Sequence, residues 1–166
     1  MRGFVIAAFS VLAFALTAPT ASAQMGGGMT SSGPAGPDSD AYDAGIAAYR
    51  AQDYQRAVRE LQNARRPAPN HGGVNYALGL AYLGLNDKEH ARESFARATR
   101  DRNAPPSSWL QLGLLSLEAG DRETAVEQQT ALERQLGRCT RNCDDDRRTN
   151  LQSAYDQLTQ RLAATP

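Results

Sequence analysis

Cys139 and Cys143 are the two cysteines of the 166-residue chain, and they flank Thr140, Arg141 and Asn142. Two thiols this close can exchange disulfides, hold a metal or bridge. Exchange chemistry wants C-x-x-C in a βαβ setting, which this segment lacks. Metal binding needs two further ligands, and the two imidazoles, His71 and His90, are candidates only by default. An even pair in an oxidising compartment bridges, so a Cys139–Cys143 disulfide is expected, clipping the C-terminal end of the chain. Asp144, Asp145 and Asp146 follow at once. They lack the ligand spacing of a recognised calcium loop and read as a solvated turn and helix start, where acids suit the helix dipole. Met25 and Met29 are two thioethers, too few for a soft-metal site. There is no nucleophile elbow, no H-E-x-x-H and no phosphate-binding glycine loop, and Gly26–Gly28 follow no strand. The expectation is a chain without catalytic residues, metal or cofactor, and therefore not an enzyme.

What positions the remaining polar residues is a repeat. Asp53, Asp87 and Asp121 are 34 residues apart, as are Gly45, Gly79 and Gly113, and Ala57, Ala91 and Ala125. Three residue types sharing one period decide the architecture before any local reading does. Leu78, Tyr82 and Leu85 recur at helical spacing, as do Trp109, Leu112 and Leu115. Each Asp falls in a short turn before the next helix, where its carboxylate can accept from free backbone amides as an N-cap. A glycine in mid-helix costs about 1 kcal/mol against alanine, so its recurrence predicts a close crossing of the paired helix, with Ala57, Ala91 and Ala125 facing it. Pro67, Pro69, Pro105 and Pro106 separate one pair from the next. Helices are expected at 40–51 and 54–65, 73–85 and 88–100, 107–119 and 122–136, with Gly137 ending the sixth. A seventh is expected at 148–163, with Leu151, Ala154, Tyr155, Leu158 and Leu162 on one stripe.

These columns resemble the tetratricopeptide repeat, whose pattern is W-x2-L-G-x2-Y, then A-x3-F, then P. The second repeat reads Asn75-x2-Leu78-Gly79-x2-Tyr82 and Ala91-x3-Phe95. The third reads Trp109-x2-Leu112-Gly113-x2-Ser116 and Ala125-x3-Gln129. The first reads Ala41-x2-Ala44-Gly45-x2-Ala48, Ala57-x3-Leu61 and Pro69. Ala41 and Asn75 depart from the Trp slot and Gln129 from the Phe slot. The resemblance covers about residues 38 to 138 and implies an all-α, right-handed α-solenoid of three helix pairs (38–71, 72–105 and 106–138). A Cys-containing loop and a C-terminal capping helix complete it (139–166), since terminal repeats need a polar outer face.

In that family the first helix of each pair lines a concave groove. Carried over, the groove residues are Tyr42, Ile46 and Tyr49, then Tyr76, Leu80 and Leu83, then Leu110, Leu114 and Leu117. Some relatives clamp a C-terminal carboxylate there with Lys and Asn, but these positions are aromatic or aliphatic, which argues against that clamp. The segments 74–85 and 109–119 are apolar nearly all round, and such a helix is normally covered on both faces. The expected cover is an apolar peptide or helix of another protein, a second copy in a homodimer, or the capping helix itself.

The N-terminus sets the compartment. Arg2 precedes an apolar run from Phe4 to Leu16, and Ala21-Ser22-Ala23 supplies an A-x-A site. This predicts a signal peptide, 1–23, cleaved before Gln24; thirteen helical residues span roughly 20 Å, short of a hydrocarbon core of about 30 Å. Residues 24–37, QMGGGMTSSGPAGP, read as a flexible linker. The whole chain has 18 Lys and Arg against 18 Asp and Glu, and the leader holds one Arg and no acid, leaving 17 against 18. A net charge near −1 gives no field for nucleic acid or an anionic membrane. The expected product is a periplasmic or secreted protein with no membrane insertion after cleavage. Its expected work is protein binding, as a scaffold or adaptor, or self-association through the same groove.

Overall fold

The computed structural model describes residues 36–139 and 143–165. The expected signal peptide lies outside them, as does the expected linker up to residue 35. The described residues form seven α-helices and no strand: α1 (Ser39–Arg50), α2 (Tyr54–Arg65), α3 (Gly72–Gly84), α4 (Lys88–Ala98), α5 (Ser107–Glu118), α6 (Arg122–Arg138) and α7 (Asp145–Ala164). They pack as antiparallel pairs, α1 on α2, α3 on α4 and α5 on α6. Each pair leans on the next, α2 against α3 and α4 against α5, while α7 packs on both α5 and α6. This is a helical solenoid of three hairpins closed by one further helix.

Each hairpin turns by the same device. Gln52, Asn86 and Gly120 hold φ of +61°, +58° and +77°. One residue later the amides of Asp53, Asp87 and Asp121 bond to the carbonyls of Ala48, Tyr82 and Ser116 at 3.0, 2.9 and 2.8 Å. The amides of residues 52, 86 and 120 bond to the carbonyls three residues back, of Tyr49, Leu83 and Leu117. That is a Schellman end. The same aspartates then start the next helix, accepting from the amides of Arg56, His90 and Thr124 at 3.1, 3.1 and 3.0 Å. One Asp therefore satisfies the end of one helix with its N–H and the start of the next with its carboxylate.

Three helix ends differ from expectation by two residues or more. Helix α4 stops at Ala98 rather than 100, capped by Thr99. Helix α7 starts at Asp145 rather than 148, because the Asp144 carboxylate accepts from the Arg147 amide and fixes the first turn earlier. Helix α6 runs through Gly137 to Arg138. It stops at bridged Cys139, whose amide bonds to the carbonyls of Gln135 and Leu136. Gly137 does not adopt positive φ, so it does not end the helix as expected.

The mid-helix glycines also answer to a different neighbour from the one expected. A Cβ on Gly45 would lie 2.6 Å from Leu61 Cγ, and one on Gly79 2.5 Å from Phe95 Cε1. It is the side chain in the Phe slot, one turn beyond the alanine, that seats on the glycine. In the third hairpin that slot is Gln129, which is polar and half-buried. Its role passes to the terminal helix: a Cβ on Gly113 would lie 2.8 Å from Leu158 of α7. Gln129 Nε2 instead donates to Thr159 Oγ1 at 2.7 Å, while Leu132, three residues on, is fully buried.

Candidate protein-binding surface

The first helices carry the residues singled out from sequence. Tyr42, Ile46 and Tyr49 of α1 are half-buried and flank a core of Ala57, Leu61, Val74 and Leu78. Tyr76, Leu80 and Leu83 of α3 are half-buried against Ala91, Phe95, Leu112 and Leu115. The ring centroid of Tyr76 stands 5.7 Å from that of Phe95, and that of Tyr49 stands 5.7 Å from that of Tyr54. On α5, Leu110 is buried, with 7% of its surface exposed, and Leu114 and Leu117 are half-buried. All three belong to the cluster that contains Leu151, Leu158 and Leu162 of α7. The nine positions thus fall into two groups. Those of α1 and α3 are half-buried away from the α7 cluster, and those of α5 share a core with the terminal helix, where Leu114 and Leu117 also keep some surface in solvent.

The cysteines are joined. Cys139 and Cys143 form a disulfide with Cα atoms 5.0 Å apart, linking the end of α6 to the turn before α7. Arg148 Nη2 donates to the Cys139 carbonyl at 2.8 Å, and Arg122 donates to the carbonyl of Thr165 at the far end of α7. The terminal helix is therefore tied at both ends as well as packed. A bridged pair fits an oxidising compartment, and no described helix is long and apolar enough to cross a membrane.

The two histidines are engaged in helix starts. His71 Nδ1 accepts from the Val74 amide at 3.3 Å, and His90 Nδ1 lies 2.8 Å from Asp87 Oδ2 with its ring stacked on Tyr82. The inter-repeat aspartate Asp101 accepts from the Gly72 amide at 2.8 Å and the Asn103 amide at 2.9 Å. Burial works to raise the Asp101 pKa. The amide bonds from Asn103 and Gly72, with the nearby Arg102 charge, outweigh it and hold the carboxyl below its ordinary value. Asp87 is held low chiefly by the His90 amide, and Asp121 chiefly by the Thr124 amide and hydroxyl, with Arg92 3.8 Å away adding to it. These are carboxylates set to cap helices, and none is held near neutrality as an acid–base catalyst would be.

Two features were passed over in the sequence. The left-handed residues 52, 86 and 120 form a column of period 34, hidden because its members, Gln, Asn and Gly, differ in type. Arg66 and Arg100 form another, and they meet with Arg65 and Arg97 in a cleft between the ends of α2 and α4.

The tetratricopeptide repeat pattern matches residues 42–108 and, overlapping, residues 76–137. No curated protein matches the chain at significant similarity.

Proposed function

Because the chain belongs to the tetratricopeptide repeat family, whose repeats generally mediate protein–protein interaction and are typically non-catalytic, we propose that it is a periplasmic scaffold. In this reading it receives an apolar segment of a partner protein along α1 and α3. The carrying observation is the row Tyr42, Ile46, Tyr49, Tyr76, Leu80 and Leu83, which stays only half-buried although both hairpins are already cored by smaller or deeper side chains. Burying such a side chain from full exposure contributes about 1.5–3 kcal/mol; covering what remains open on these half-buried residues contributes a part of that, before the cost of association, and a few anchors of this kind dominate an interface. The α5 positions, Leu110, Leu114 and Leu117, then form the closed end of the surface under α7. Export rests on the apolar run and A-x-A site before Gln24, and the disulfide agrees with it.

The test is Leu80→Asp, with in-cell crosslinking of the mature protein as readout and circular dichroism as the check on folding. The expected result is a helical, monomeric variant that no longer captures the partner bound by the wild type. A folded variant that still captures it overturns the reading. A wild-type dimer that Leu80→Asp dissociates, seen by light scattering over a concentration series, replaces it with self-association through the same face.

A further inference from the structure

A second surface lies on other helices. Arg65 ends α2 and Arg66 follows it, Arg97 lies in the last turn of α4 and Arg100 just beyond it, and the four line one open cleft of about 550 Å³ with Gln62 and Asn70. No carboxylate lines it among the described residues. Arg97 is shared with Glu93 at 3.2 Å, whereas the side chains of Arg65, Arg66 and Arg100 make no ion pair or hydrogen bond among the described residues. Gln62 Nε2 is spent on the Tyr82 hydroxyl at 2.9 Å, and Asn70 offers a further amide donor at the rim.

Basic groups in the last turn of a helix complement its dipole, which accounts for one arginine at each end but not for two pairs brought to the same cleft. The pairing follows from the repeat: Arg66 and Arg100 are 34 residues apart, so stacking one hairpin on the next brings both to one cleft. Guanidinium groups present planar forks that match carboxylates bidentately. Among partners that could meet this chemistry, a nucleic acid would need a far wider basic field than four residues on a chain of zero net charge. The cleft is lined from two successive hairpins, which suits an extended chain bearing several carboxylates.

We infer that the α2–α4 cleft docks an acidic peptide segment of a partner protein, with Arg65, Arg66 and Arg100 as the free cations. The site is separate from the apolar row on α1 and α3, so either can fail without the other. The test uses the full chain with its disulfide intact and a fluorescein-labelled hexaglutamate peptide, followed by anisotropy at low and physiological salt. Arg66→Glu with Arg100→Glu should weaken binding at least about tenfold, as expected for two lost pairs turned into repulsions. The control pair Arg50→Glu with Arg161→Glu changes net charge equally at exposed sites elsewhere and should change binding less than about twofold. Both arms are checked for unchanged melting, and Arg66→Gln with Arg100→Gln serves if the reversal unfolds the chain. Equal weakening in both arms overturns the inference, as does a wild type that ignores the peptide. Displacement by inorganic phosphate at equal anion concentration also overturns it, since the cleft would then read a lone anion rather than a peptide.

Discussion

Gln52, Asn86 and Gly120 do the same conformational work as three different residue types. All sit at positive φ between the helices of a hairpin. Glycine adopts that region freely, asparagine tolerates it through its short polar side chain, and glutamine has neither advantage, so the left-handed backbone costs it roughly 1–2 kcal/mol. Part of that cost returns as extra chain entropy in the unfolded state when glycine is installed. Gln52→Gly should therefore stabilise the protein by about 0.5–1 kcal/mol, and Asn86→Gly by less. Thermal melts of the two variants against wild type check the order. A Gln52→Gly variant less stable than wild type would mean that the glutamine side chain contributes something its exposed position does not show.

At the scale of the helix, the third hairpin departs from the first two and α7 answers the departure. Gln129 cannot fill the slot that Leu61 and Phe95 fill, and Leu158 seats on Gly113 instead. Gly113→Ala would place a methyl group 2.8 Å from a fully buried leucine. Alanine gains up to about 1 kcal/mol in helix propensity, but overpacking costs typically 1–3 kcal/mol, so a net loss of roughly 1 kcal/mol is expected. The loss should appear at α7 rather than at α1 to α4. Hydrogen exchange checks this: amides of α7 should lose protection first, while those of the first hairpin keep theirs. The repeat and its Asp-capped helix starts were legible in the sequence because glycine, alanine and aspartate each recur at one period. The leucine–glycine contact of α7 was not, because it joins residues 113 and 158 across an element outside the repeat register. The apolar row on α1 and α3 was legible as a helix face, but its division from the α5 positions depends on where α7 lands, which no periodicity fixes.

Across the whole molecule the stabilised carboxylates are unevenly placed. The carboxylates held below their ordinary value near 3.8 are Asp87, Asp101 and Asp121, and all three lie in or between the second and third hairpins. For each, the folded state binds its proton less readily than the unfolded chain does. The stability they add is therefore present in full above the unfolded pKa and is lost as pH falls through the lower folded values. Between pH 7 and about 5 they should leave the melting temperature unchanged. Below about pH 4 they should lower it, as the protonated carboxyls release the amides of Gly72, His90, Asn103 and Thr124. Because a solenoid is held by contacts between neighbouring hairpins, the loss should start at α4 to α6 and spread outward. Asp121→Asn separates this effect from the general build-up of positive charge in acid. The amide oxygen can still accept from Thr124, but it no longer titrates, so the variant should be less stable than wild type at pH 7 and the two melting curves should converge as pH falls below about 4. Melting temperatures by circular dichroism from pH 7 to 2 give both curves. A constant gap between them down to pH 2 would show that the Asp121 charge contributes nothing to the fold.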